Sequence, residues 1–238
     1  MTESSFWNAP ANADVVRYGE YNLTIIHLGS PTDATDLPGH DPAAARRFAE
    51  SFGTIDTILE DLGTVPAIDP VSAGTRADLE LVRVGSWGNI TAITDPGPVH
   101  CNGSYPVDEE AESLAERFPA AVIIATCTID YNMTYGAWKI IHPNGTRLFA
   151  GGWHGEDDWD FEGSPTAVAT AFGITEQELS EENIEMDDEV NVFDWAGLCD
   201  LAFKKVAPLD HTDRTTSVFR VQHTEDAIGN MEEIWLEN

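Results

Sequence analysis

The stretch "GGWHGEDDWDFEG", Gly151 to Gly163, sets one histidine and two tryptophans among five carboxylates, with glycines at both ends. Two kinds of chemistry could use such a set. Clustered carboxylates repel one another, and a divalent cation relieves that repulsion, so Asp157, Asp158, Asp160 and Glu162 form a candidate Ca²⁺ or Mg²⁺ site. His154 beside Glu156 and Asp157 could instead move protons or hold a transition metal, the basis of a metal-dependent enzyme reading. The alternation of Asp158, Asp160 and Glu162 resembles a calcium loop. A full EF-hand, however, needs a bidentate Glu at its twelfth position, and counting from Asp158 that position is Ala169. The remaining reading is a solvated acidic loop that packs Trp153, Trp159 and Phe161 inward.

Other chemistries lack their residues. The seven histidines are dispersed, without HxH or HExxH. No GxSxG elbow, GxxxxGK[ST] loop or GxGxxG loop occurs. Cys101, Cys127 and Cys199 are far apart and outside any CxxC pair, the pattern of reduced structural thiols in a cytoplasm. The sequence therefore points to no catalytic residue and to no cofactor beyond the Ca²⁺ or Mg²⁺ alternative.

The dominant property is charge. Forty-two Asp and Glu face twelve Lys and Arg, a formal net charge of −30, against roughly 2–8 in magnitude for an ordinary small soluble domain. Such a surface repels nucleic acid and anionic lipid and suits cations or basic proteins. Leu148–Phe203 holds fifteen of the acids and no Lys or Arg, which leaves twenty-seven acids and all twelve bases elsewhere, so the excess is both local and global. The local part reads as a partner-binding surface of Trp153, His154, Trp159, Glu181, Glu182, Glu185, Asp187, Asp188 and Glu189. Its functional alternatives are an accessory protein that contacts a basic surface and a DNA mimic that sets carboxylates in place of phosphates. General solubilisation or salt adaptation is the non-specific reading.

These residues need a frame. Residues 1–14 read as a flexible tail and 15–238 as one domain, with a sub-boundary near 150–165. Val15–Gly29 is β-rich, one strand or a hairpin pivoting at Gly19. Asp41 with Pro42 starts a helix that "AAARRFAESFGTIDTILEDLG" continues, with a break near Gly53 and an end at Gly63. Leu79–Val84 alternates as a strand, and 86–106 reads as a long connection. Val107, Ala111, Leu114, Ala115 and Phe118 share a helix face. Ala120–Tyr131 and Tyr135–His142 are strands, and "PNG" turns the second into "TRLFAG". Ser164-Pro165 opens a short helix closed by Gly173, and Thr175 with Glu178 forms a capping box. A helix through "NVFDWAGLCDLAFKK" and a strand at Thr216–Thr224 complete the chain. No signal peptide and no membrane-spanning run is present.

Trp87, "LAERFP", an apolar strand ending in "DY" and "YGAWKIIHPNG" together resemble the ferredoxin-like domain named after YubB, carried by plasmid and phage proteins. The resemblance covers Trp87–Gly145. It implies an accessory protein of a mobile element and no catalytic residues. The fold expected is therefore α+β: a ferredoxin-like, mainly antiparallel sheet with helices on one face and additional carboxyl-terminal helices.

Overall fold

The computed structural model describes residues 6–28, 37–67, 73–99, 105–131, 133–156, 158–186, 188–207 and 213–236. Among the described residues nine strands form one sheet: β1 (Tyr18–His27), β2 (Ile55–Pro66), β3 (Leu81–Trp87), β4 (Ile90–Thr94), β5 (Ala121–Tyr131), β6 (Met133–Ile141), β7 (Arg147–Trp153), β8 (Asp160–Gly163) and β9 (Thr215–His223). Their order is β2-β9-β3-β4-β1-β5-β6-β7-β8, and every neighbouring pair is antiparallel.

Six α-helices among the described residues cover both faces. On one lie α1 (Pro42–Ala49), α2 (Pro106–Arg117) and α6 (Glu225–Met231), which bury Phe48, Leu114 and Met231 against Ile25, Ile123 and Phe219. On the other lie α3 (Pro165–Phe172), α4 (Glu176–Glu181) and α5 (Trp195–Val206), which bury Val168, Leu179 and Leu198 against Ile26, Trp138 and Ile140. Successive strand residues point to opposite faces, so a strand covered on both sides must be apolar throughout. That explains the uninterrupted "AVIIA" of β5, where Val122 and Ile124 enter one core and Ile123 the other.

The ferredoxin-like expectation is therefore corrected. Such a fold rests on one βαββαβ unit, whereas this sheet has nine strands and helices on both faces. A local crossover does exist within Trp87–Gly145: β4, α2 and β5 follow in sequence with β1 inserted between the two strands. It is one element of the larger sheet. Within residues 148–163 the sheet continues through the β7–β8 pair.

Two local expectations also change. The helix beginning at Pro42 ends at Ala49, and Ile55–Pro66 is the edge strand β2. Its pairing with β9 shifts register three times, between Ile55/Thr57, Ile58/Glu60 and Asp61/Thr64. Each irregularity interrupts the alternation of two, which is why its apolar residues mimic helical spacing. The long connection contains a hairpin, since Trp87 pairs with Ile90 across Gly88-Asn89 and Gly88 takes φ +66°. Of the two readings of Val15–Gly29, the single strand is the one observed, β1 running unbroken through Gly19.

The amino-terminal residues that are described are tied down. The Asn8 and Ala9 N–H groups donate to the Glu232 carboxylate at 2.6 and 2.9 Å. The Arg76 guanidinium lies 5.0 Å from the centre of the Trp7 ring, and Asp14 bridges to Thr75.

Candidate functional site

The Gly151–Gly163 stretch is a β-hairpin that closes one end of the sheet. Gly136 of β6 and Gly152 of β7 are cross-strand partners. Neither carries a Cβ, so the Trp138 and Trp159 rings can lie close over them. A Cβ on Gly152 would come within 2.6 Å of the Trp159 ring. The two indoles are parallel to within 3°, their centres 6.2 Å apart, and Trp159 Nε1 donates to the Trp153 carbonyl at 3.1 Å. The His154 ring stands edge-on to both, 6.3 Å from Trp138 and 5.6 Å from Trp159.

Alternation then divides β8 into two unlike faces. Phe161 points to the side of α5 and meets Trp195 at 5.4 Å. Asp160 points to the side of α2, where its carboxylate accepts from the Tyr105 hydroxyl. Partial burial, and then the Asp160 charge, push the Tyr105 phenol up to about 12. Trp153 turns the same way as Asp160 and packs on Tyr135 at 5.3 Å. On this side the Lys139 ammonium is buried, 2.6 Å from Asp108 and 2.8 Å from Glu112. Arg147 also pairs with Glu112.

Of the proposed cation ligands, Asp158, Asp160 and Glu162 are exposed, and Asp157 lies outside the described residues. Among the described residues no group of three or more His, Cys, Asp or Glu is arranged to hold a metal ion. His154 is exposed at the turn, its ring against indoles rather than inside a cleft.

The acidic segment after α3 is anchored by its few apolar residues. Leu179 and Ile184 are buried, whereas Glu181, Glu182, Glu185, Asp188 and Glu189 are exposed; Asp187 lies outside the described residues. Thr175 and Glu178 cap α4 as the sequence indicates. The basic end of α5 meets this segment, with Lys204 3.0 Å from Glu182 and Lys205 2.6 Å from Glu178. The Lys205 contact, helped by the Thr175 N–H, holds the Glu178 carboxyl down at about 2. Buried Trp195 joins the segment to the hairpin. Its ring contacts Phe161 and Phe193, and its Nε1 donates to the Val190 carbonyl at 2.9 Å. Sequence reasoning missed Trp195 as this junction; the aromatic pair Phe193 and Trp195 at the start of a helix was the available signal.

Two polar constellations were also missed, and neither is set up for catalysis. At the ends of β4 and β9, Asp95 accepts from the Thr54 hydroxyl and from the Gly97 N–H at 2.7 Å, with His223 Nε2 2.9 Å away. Asp95 and His223 are closed to solvent, at 1% and 0% exposure, and His223 Nδ1 is buried without a hydrogen-bond partner among the described residues. A cavity of about 10 Å³ beside Asp95, lined by Tyr21, Phe52 and Val107 among others, has the room of a single water molecule. Nearby Glu110 accepts from the Gly53 N–H, and burial raises its carboxyl.

The second constellation is His40 with Ser217, their Nε2 and Oγ 2.8 Å apart, a spacing suited to a base and its nucleophile. But the Ser86 N–H donates to His40 Nδ1 at 3.2 Å. The ring proton must then sit on Nε2 and point at Ser217, so the imidazole donates to the hydroxyl and cannot take its proton. Cys127 and Cys199 are buried free thiols that burial pushes up, so neither is a poised nucleophile.

A family model described as a family of unknown function, DUF6333, matches residues 6–238, and the chain belongs to that family. No curated protein and no solved structure matches it. No helix among the described residues is long and apolar enough to cross a membrane.

Proposed function

We propose that this DUF6333 protein is a non-catalytic, cytoplasmic accessory protein whose acidic carboxyl-terminal half contacts a basic protein surface. The observation that carries this reading is the sorting of side chains in that half. Leu179, Ile184, Phe193 and Trp195 go inward, while Glu181, Glu182, Glu185, Asp188 and Glu189 face solvent. Carboxylates crowded into one segment repel one another. Here that cost is borne at an exposed surface, where a complementary partner relieves it and gains encounter rate. The acid–base groups with contacts closest to catalytic geometry are sealed from solvent (His223–Asp95) or carry the ring proton on the wrong nitrogen (His40–Ser217).

The test is affinity capture from host lysate at low and high salt, with a variant carrying Gln or Asn at Glu181, Glu182, Glu185, Asp188 and Glu189 as comparison. A basic protein retained by the parent at low salt, and lost with either the variant or high salt, is the expected result. Identical capture by parent and variant would refute the reading.

A further inference from the structure

Resting on that reading, we infer that β8 receives an extended, basic segment of the partner as an added outer strand, with alternate side chains apolar and cationic. Among the described residues β8 ends the sheet, and all four of its residues are exposed. Its outer backbone edge is a template for strand addition. The opposite edge, β2, is a poorer template, because its three register shifts break the spacing of its outward groups. β8 pairs with β7 over four consecutive residues without a shift, so its backbone groups keep strand spacing.

The chemistry of the occupant follows from the two faces. On the α5 side an incoming strand meets Phe161, 40% exposed, and the partly exposed Trp159 fixed flat over Gly152. On the α2 side it meets Asp160 and Glu162. Residues two apart on the incoming strand fall on the same face. Apolar residues therefore align with Trp159 and Phe161, and Lys or Arg with Asp160 and Glu162. The cations already on the α2 side, Lys139 and Arg147, are engaged by Asp108 and Glu112. A second copy of this chain is the wrong occupant, since its β8 would set Asp160 and Glu162 against their own kind on a protein of net charge −30.

The experiment is calorimetric titration of the full chain with a short capped peptide alternating Lys and Val. Two copies of the peptide are N-methylated at alternate backbone nitrogens, one along each edge. The parent peptide should bind at low salt. Methylation along one edge should weaken it at least about tenfold while the other copy still binds, because only one edge donates to β8. The Asp160→Asn/Glu162→Gln variant, whose changes are at exposed positions, should weaken the parent peptide several-fold with unchanged circular dichroism. Equal binding of all three peptides would overturn strand addition and leave the basic-partner reading standing. Failure of every peptide to bind at low salt would overturn the β8 assignment, while the lysate capture still decides the wider reading. Self-association of the chain that competes with the peptide would replace the basic partner with a second copy and overturn the inference.

Discussion

Replacing Asp95 with alanine removes the acceptor shared by the Thr54 hydroxyl, the Gly97 N–H and His223 Nε2, all inside the fold. A buried donor left without a partner costs about 1–3 kcal/mol. Three such losses are not additive, and the space left by the carboxylate lets one water serve some of them, so about 3–5 kcal/mol is the expected total, as for other broken buried networks. Against a typical stability of about 5–15 kcal/mol that is a large fraction. Urea unfolding followed by circular dichroism measures it as a fall in midpoint, with Thr54→Val as the companion that loses one donor and should lie well below half the Asp95→Ala effect. The location of the network matters as well. Thr54, Asp95 and His223 sit at the ends of β2, β4 and β9, and the Thr224 N–H donates to the Thr54 carbonyl at 2.9 Å. Amide exchange should therefore accelerate first in β2 and β9 and leave β5–β6 protected. A midpoint change worth less than about 1 kcal/mol, or uniform loss of protection, would refute the idea that this polar knot fastens three strand ends.

Other expectations follow from single contacts. Burial raises the Glu110 carboxyl, so the folded state holds that proton more tightly than the unfolded chain; its penalty is absent at acid pH and develops as pH rises through the folded value. Glu110→Gln, which keeps an acceptor for the Gly53 N–H, should thus stabilise the protein at neutral pH and give no gain in acid, checked by urea midpoints at both. For His40 the sign is opposite. Burial lowers its imidazole, so stability is full above the ordinary value of 6.5 and falls as pH drops below it. That slope, read between about pH 5 and 8, should vanish in His40→Gln. At the hairpin, Gly152→Ala would put a methyl 2.6 Å from the Trp159 ring. Overpacking of this kind costs about 1–3 kcal/mol, and the near-ultraviolet circular dichroism of the stacked indoles should weaken. Preserved indole signal and stability would mean that Trp159 does not rest on that glycine.

Much of the local structure was legible because it depends on neighbours in sequence. Asp41-Pro42, Ser164-Pro165, the Thr175/Glu178 box and Gly173 announce helix ends through the groups that satisfy free N–H and C=O. β5, β6 and β9 announce themselves through β-branched, apolar runs, and β7 through the Pro143–Gly145 turn that precedes it. β2 was hidden because its register shifts disguise its alternation as helical spacing. β4 was hidden because only the two residues Gly88 and Asn89 separate it from β3. The acidic surface was also legible: charge repels charge into solvent whatever the fold, and Glu181, Glu182, Glu185, Asp188 and Glu189 are exposed as that rule requires.

Tertiary structure alone decided the rest. Nothing near Thr54 in the chain indicates Asp95 or His223, because the sheet order brings together strand ends separated by 41 and 128 residues. The unwanted tautomer of His40 is set by one backbone N–H on β3. The division of β8 into an aromatic face and an acidic face exists only because the strand pairs with β7, which turns the alternation of "DFEG" into two opposed surfaces. Sequence fixes which side chains seek water or each other, whereas distant pairing fixes which of them meet.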